Sequence, residues 1–207
     1  RLMVSPGVPL THPVVQAAVE QGATLSNDIQ LFSEQCHRQL CLVTGSNGKS
    51  TVTDYIGQLL GSAGVDTGIG GNIGIPALSL LATSAQAFVL EVSSYQLELA
   101  TNAKAKVAVL LNLSPDHLDR YDSVADYYRA KQNVFNAAEI AITNRDIQFE
   151  LEIPSSAMLI SFGLDAPDSG HYGVVSEQGV DYLARGNERL VAVSELPITG
   201  PHHLLNL

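Results

Sequence analysis

Positive charge, cysteine and long apolar runs are all scarce in this chain. Its 207 residues carry 11 Lys and Arg against 21 Asp and Glu, a formal net charge of -10. General nucleic-acid and membrane-surface binders need a basic face, so this balance argues against both. It leaves nucleotide phosphates open, because a local nest of amides with one Lys and Mg²⁺ overcomes a distant acidic surface. Only two cysteines occur, Cys36 and Cys41. Flanking a short apolar run, they read as packed thiols in a reducing compartment, not as a disulfide or a metal pair. No run approaches the roughly 20 apolar residues that cross a bilayer, and no signal-peptide pattern is present. The expected location is the cytoplasm. Repeats and low-complexity segments are missing as well.

What remains is a chain able to bury a large core, with 45% hydrophobic and 15% charged residues. Its length suits one large domain, or one and a part. Both ends look cut. Arg1-Leu-Met-Val runs straight into Ser5-Pro-Gly7, and Gly200-Pro-His-His-Leu-Leu-Asn-Leu207 resembles the first turn of a longer helix.

The most informative stretch is Cys41-Leu-Val-Thr-Gly-Ser-Asn-Gly-Lys-Ser-Thr51. Leu40 to Val43 predicts a buried strand, and Lys49 opens an amphipathic helix running to about Ala63, with Gly64 as its stop. Between them, Gly45, Ser46, Asn47 and Gly48 form a short loop. That order places bare amides and a helix N-terminus where a phosphate can sit. Lys49 can put a point charge on the outer phosphates, and Ser50 or Thr51 can offer a hydroxyl to Mg²⁺. The common phosphate-loop pattern has Gly where this chain has Val43, so the match is to a shorter form. An ordinary Gly-rich turn with a surface Lys is the bland alternative.

Further polar groups stand where predicted strands end. A short strand from Asp66 to Ile69 breaks into Gly70-Gly-Asn72-Ile-Gly74, followed by a helix from Ile75 to Leu81. Asn72 either faces a ligand or sits in a plain Gly turn. The strand from Ala87 ends at Glu91, and ligands of open α/β sheets bind beyond the carboxyl ends of strands; an acid there beside a phosphate loop suits Mg²⁺. Ser93-Ser-Tyr-Gln96 leads into a short helix. A strand from Lys106 to Leu113 runs into Asn112-Leu-Ser-Pro-Asp116-His117-Leu-Asp119-Arg120, where His117 between two acids suits a metal or substrate.

A helix capped at Asp122-Ser123 carries the stripe Val124, Tyr127, Tyr128, Lys131, Val134 and Phe135. Lys131 falls on its apolar face. Either the stem packs while the ammonium reaches water, or the Lys points into a polar site with a lowered pKa or an altered head group. Beyond a strand at Glu139 to Thr143, short strands near 158–163, 173–175, 180–184 and 190–193 read as an antiparallel meander. The expected architecture is α/β, a P-loop-type, mostly parallel sheet flanked by helices with a small antiparallel meander near the C-terminus.

These motifs resemble the Mur ligases, the ATP-dependent amino-acid-adding enzymes of bacterial peptidoglycan synthesis. Thr44 to Thr51, Gly71-Asn-Ile-Gly74, Leu90-Glu-Val-Ser-Ser-Tyr-Gln-Leu-Glu98, Asn112-x-x-x-Asp116-His117-x-Asp119-Arg120, Tyr128-Arg-Ala-Lys131 and Gly200-x-His202-x-x-x-Asn206 fall in that family's order. The chain is most similar to the D-glutamate-adding member. It departs at His203, where the family has Asn. The resemblance implies two cofactors, ATP and Mg²⁺, the latter at two sites. Gly45, Ser46, Asn47, Gly48, Lys49, Ser50, Thr51 and Asn206 are then expected at the nucleotide. One Mg²⁺ falls to Ser50 and Glu91, a second to His117 and a carbamylated Lys131. Ser5, Asn72, Ser93 and His117 are expected at the UDP-sugar.

By the same resemblance, Lys49, Glu91, His117 and Lys131 carry the chemistry. ATP phosphorylates the carboxylate of UDP-N-acetylmuramoyl-L-alanine, and the amine of D-glutamate attacks the acyl phosphate. The expected partners are these small molecules, without nucleic acid or membrane, and the chain is expected to be a monomer. Residues 1–30 are expected to be the tail of an N-terminal UDP-binding domain and 31–207 the central ATP-binding domain, with a C-terminal amino-acid-binding domain outside the chain. Such a piece is expected to bind nucleotide weakly and to have no turnover alone. A P-loop switch with slow hydrolysis, and a sibling ligase for another amino acid, are the competing readings.

Overall fold

The structure, a computed structural model, describes residues 1–116, 119–197 and 200–207. From the N-terminus the chain forms β1 (Leu2–Met3), α1 (Pro13–Glu20), β2 (Leu25–Ser26), α2 (Asp28–Gln35), β3 (Gln39–Thr44), α3 (Lys49–Ser62), β4 (Thr67–Gly71), α4 (Ala77–Leu80), β5 (Ala87–Glu91) and α5 (Ser94–Leu97). It continues with β6 (Ala105–Leu110), α6 (Val124–Gln132), β7 (Ala138–Asn144), β8 (Met158–Phe162), β9 (Tyr172–Glu177), β10 (Val180–Arg185), β11 (Glu188–Ala192) and α7 (Pro201–Leu204).

Strands β3, β5 and β6 are short apolar runs, and every residue of β5 is buried, as central parallel strands require. Helix starts are set by side-chain caps. Asn27 accepts from the Gln30 amide at α2, Ser93 and Gln96 form a reciprocal box at α5, and Ser123 accepts from the Asp126 amide at α6.

Nine strands make one sheet in the order β4-β5-β3-β6-β7-β8-β9-β10-β11, while β1 and β2 pair separately. Pairing is parallel from β4 to β9 and antiparallel from β9 to β11. The chain leaves β3 for β4 at the edge, returns through β5, then crosses β3 to reach β6. That reversal puts the carboxyl ends of β4, β5, β3 and β6 side by side, in the crevice where open α/β sheets take ligands.

The main core lies on the face covered by α2, α4, α5 and the end of α6, built on Ile29, Phe32, Leu42, Leu90, Leu110 and Phe135. A smaller cluster of Val43, Val52, Val89, Val109 and Leu111 lies under α3.

Three sequence expectations are corrected. The meander is antiparallel only over β9 to β11. β8 pairs parallel with β7, because the connection after Asn144 crosses the core face, packing Ile147, Leu151 and Ile153 against it, instead of turning straight back. β6 stops at Leu110 and not at Leu113: the Leu111 amide makes the last ladder bond, to the Thr44 carbonyl, and Asn112 then turns to the phosphate loop. The helix expected from Ile75 is the single turn α4. Ile75 instead stays extended, its carbonyl accepting from the Gly71 amide, and Pro76 caps the turn.

Phe32 is fully buried and meets Phe88 edge to face at 5.2 Å between ring centroids. Replacing Phe32 by Ala should cost about 3–5 kcal/mol, read as a lower denaturant midpoint at unchanged m-value; a loss under about 1 kcal/mol would mean the face is loosely packed.

Candidate active site

The loop from Gly45 to Gly48 links β3 directly to the fourteen-residue helix α3. Gly48 holds φ 81°, the left-handed conformation a non-Gly residue rarely adopts, and a Cβ there would come within 2.8 Å of Asn206 Oδ1. The first-turn amides of α3, including those of Lys49, Ser50 and Thr51, have no carbonyl a turn earlier to receive them. With the positive end of the helix dipole they form an anion cradle, and Asn206 stands at its edge.

Two ammonium groups converge on this loop. Lys49 Nζ donates to the carbonyls of Gly45 at 3.0 Å and Ser46 at 3.2 Å, and Lys131 Nζ donates to the same Gly45 carbonyl at 2.9 Å. Lys131 is only 2% exposed, and its ammonium lies 4.9 Å from the centroid of the Tyr127 ring. The reading in which its head reaches water is therefore ruled out by position. Burial and then the neighbouring Lys49 charge push its pKa down to about 7, against the opposing pull of Asp116 and Glu91.

Glu91 supplies the negative group. Parallel register sets Val43 and Gly71 beside it on the two neighbouring strands. It is 2% exposed, yet its oxygens receive neutral donors, Ser50 Oγ at 2.7 Å on Oε2 and Asn72 Nδ2 at 2.7 Å on Oε1. Asn72 is held there because its own amide bonds the Glu91 carbonyl at 2.8 Å. A Cβ on Gly71 (φ 104°) would overlap that same carbonyl. Glycine is thus needed here for close approach.

Among the described residues its hydrogen-bond donors are neutral, and a buried carboxylate so placed is costly unless a cation joins it. One hydroxyl and one carboxylate, with phosphate oxygens and waters completing the shell, suit Mg²⁺. Among the described residues no group of three or more His, Cys, Asp and Glu is assembled as a metal cage. His117, predicted for the second cation and the substrate, lies outside the described residues.

The remaining predicted residues spread outward. Ser46 and Asn47 bond the segment after β6. Ser46 Oγ contacts the Ser114 carbonyl at 3.0 Å and Tyr127 Oη at 3.1 Å, and the Asn47 amide donates to Asn112 Oδ1 at 2.9 Å. Ser93, two residues beyond Glu91, spends its hydroxyl capping α5, accepting from the Gln96 amide at 3.2 Å. Ser5 is exposed, its carbonyl accepting from the Val8 amide at 2.9 Å; Arg120 reaches that turn at the Val8 carbonyl, 3.5 Å away, from its ion pair with Glu98. Sequence reasoning gave no role to Tyr127 or Ser114. Tyr127 reads as one more apolar helix position, and its contact with the loop is visible only in three dimensions. Cys41 stays outside the site, its thiol pushed up to about 12 by burial.

The Lys131 shift gives a pH signature. Folded Lys131 releases its proton near pH 7, while the unfolded side chain holds it to about pH 10.4. Between these limits the unfolded state binds more protons, so stability rises with pH. From pH 7 to 9 in bicarbonate-free buffer the gain from this group is about 2 kcal/mol. Lys131→Met should abolish it, and an unchanged slope in that variant would refute the assignment.

Comparison with known proteins agrees with this geometry. The model of the Mur ligase middle domain matches residues 43–207. The UDP-N-acetylmuramoylalanine–D-glutamate ligase of Psychrobacter arcticus is 44% identical over 209 residues, covering 100% of this chain and 44% of that relative. The ligase of the same description from Alcanivorax borkumensis is 45% identical, covering 100% of this chain and 46% of its own. The chain thus spans about half the length of the curated relatives it matches. Among solved structures, a UDP-N-acetylmuramoyl-L-alanyl-D-glutamate–2,6-diaminopimelate ligase superposes with TM-score 0.66 at 24% identity, over 82% of this chain and 41% of that one. MurF ligase from Thermotoga maritima, solved in complex with ADP, superposes with TM-score 0.61 at 20% identity, over 94% of this chain and 54% of that one. With a phosphate loop, a buried strand-end acid and a buried lysine meeting at one crevice, and a family model spanning most of its length, the chain belongs to the Mur ligases, whose middle domain it carries.

Proposed function

We propose that this chain is the ATP-binding part of an amide-forming ligase that adds D-glutamate to UDP-N-acetylmuramoyl-L-alanine. The observation that carries the proposal is the shared Gly45 carbonyl. Lys49 held on that oxygen beside a helix N-terminus makes a positive pocket suited to a polyphosphate, and Lys131 on the same oxygen brings a second, readily neutralised amine to its wall. The choice of amino acid rests on the resemblance to relatives described as D-glutamate ligases.

In this reading Lys49 and the first-turn amides of α3 hold the ATP phosphates, and Asn206 borders the nucleotide. Ser50 and Glu91 would hold one Mg²⁺; Lys131, carbamylated, and His117 would hold a second. Bound there, the metal would supply charge neutralisation of the triphosphate, so that a carboxylate can approach it. Ser5, Asn72 and Ser93 belong to the acceptor side. The two cations forced together at Gly45 favour a modified Lys131, because a neutral amine adding to CO₂ with loss of a proton turns one of them into an anion. The acceptor carboxylate then attacks the γ-phosphorus, ADP leaves, and the amine of D-glutamate displaces phosphate from the acyl carbon. Residues 1–30 would close a preceding UDP-binding domain and 31–207 form the central domain, in a cytoplasmic, monomeric enzyme.

In the intact protein, phosphate release should require the UDP-linked acceptor and D-glutamate; L-lysine, diaminopimelate or folate in its place should give none. Release that ignores the amino acid would indicate a simple nucleotide hydrolase. Lys131→Ala should lower turnover at least 100-fold, and millimolar acetate or propionate should restore part of it. A Lys131→Ala protein of near-parental rate would remove the carbamate from the scheme.

A further inference from the structure

The loop between β3 and α3 has few amides to spend, and the segment after β6 takes two of them. The Ser46 amide donates to the Asn112 carbonyl at 3.1 Å, and the Asn47 amide to Asn112 Oδ1 at 2.9 Å. The same Asn112 side chain turns its other end on residue 47, with Nδ2 donating to the Asn47 carbonyl at 3.0 Å. Ser114 adds two bonds to Ser46, its amide donating to Oγ at 3.0 Å and its carbonyl accepting from Oγ at 3.0 Å. Asn47 Nδ2 reaches Ser114 Oγ at 3.3 Å.

One consequence concerns the peptide that follows. In a planar trans peptide the C=O and the next N–H point in opposite directions. Fixing the Asn47 carbonyl on Asn112 therefore turns the Gly48 N–H away from Asn112. Gly48 then passes with φ 81° into the first turn of α3. The side chain at position 112 thereby selects which way this amide faces.

We propose that Asn112 is a positioning residue of the phosphate loop, holding both backbone polar groups of Asn47 so that the Gly48 amide faces the phosphates. It touches no substrate itself. A carboxamide suits this role, since it presents a donor and an acceptor side by side on one carbon, matching the adjacent N–H and C=O of Asn47, and the shorter Asn fits the reach from the end of β6. Asp at this position would keep the acceptor for the Asn47 amide, lose the donor for its carbonyl, and add an anion beside the loop.

The inference rests on the nucleotide reading above, so ATP binding by the unaltered intact protein is measured first, by calorimetry. Asn112→Ala should weaken ATP at least tenfold and raise its KM by a similar factor. The KM of the UDP-linked acceptor and the thermal midpoint should stay near parental values. Asn112→Asp should weaken ATP further at low salt, with the excess loss shrinking as ionic strength rises, because an added charge is screened and a missing hydrogen bond is not. Failure of the parent to bind ATP would bring down both readings. ATP binding within twofold of the parent in both variants would overturn only the role of Asn112, as would equal loss of ATP and acceptor with a matching fall in thermal midpoint.

Discussion

The carbonyl oxygen of Gly45 holds this site together. It follows β3 directly, accepts from Lys49 at the start of the next helix, and accepts again from Lys131, 86 residues further on. Bringing two ammonium groups to one neutral acceptor is unfavourable in a poorly screened interior, where charges interact more strongly than in water, and the Lys131 pKa falls accordingly. The cost is met only because the rest of the fold leaves neither side chain another place. Lys49 is fixed at the start of α3, and Lys131 is carried by α6 into a space lined by Tyr127 and the loop itself. The positive end of the crevice is therefore set by Lys49 and the α3 amides, with Lys131 held where it readily gives up its proton.

Glu91 answers that charge from the end of the neighbouring strand β5. A one-residue slip in the β4–β5 register would turn its side chain to the other face of the sheet. Two contacts at one point oppose the slip: the close approach of Gly71 to the Glu91 carbonyl and the bond from the Asn72 amide to that carbonyl. Asn72 thus has a structural duty whatever else it touches. The two glycines before it extend β4 past Ile69 to Gly71, so the strand ends level with Glu91.

Much of this was legible in the sequence, and the limits have physical causes. Apolar runs ending in polar clusters marked β3, β5 and β6 with their carboxyl ends at one rim, because buried parallel strands leave little other pattern. Lys131 stood out for the same reason, a charge on an apolar helical face. The parallel placement of β8 was hidden, because its crossover from β7 lacks a helix and alternating short strands look alike in either direction. The hydroxyl of Ser93 was claimed by a local cap that a functional reading of Glu91-Val-Ser93 passes over. Asn112, part of a recognisable motif, carried no signal of its partner. A side chain that bonds backbone leaves no complementary residue type to find.

The short loop makes the two lysines and the Asn112 segment parts of one solution. A longer phosphate loop can wrap an anion with its own successive amides. Here only Gly45 to Gly48 separate strand from helix, and two of the intervening amides are already bonded to Asn112. Fewer backbone donors remain, so charge and helix dipole have to supply what a wrapped backbone otherwise gives. That dependence also makes ligand binding and local stability a single quantity. An anion seated on Lys49 and the α3 amides binds the folded state alone and stabilises it in proportion to the logarithm of one plus its concentration over Kd. The loop, α3 and α6 should therefore tighten together when it binds, because the oxygen that joins them is the one the two cations share.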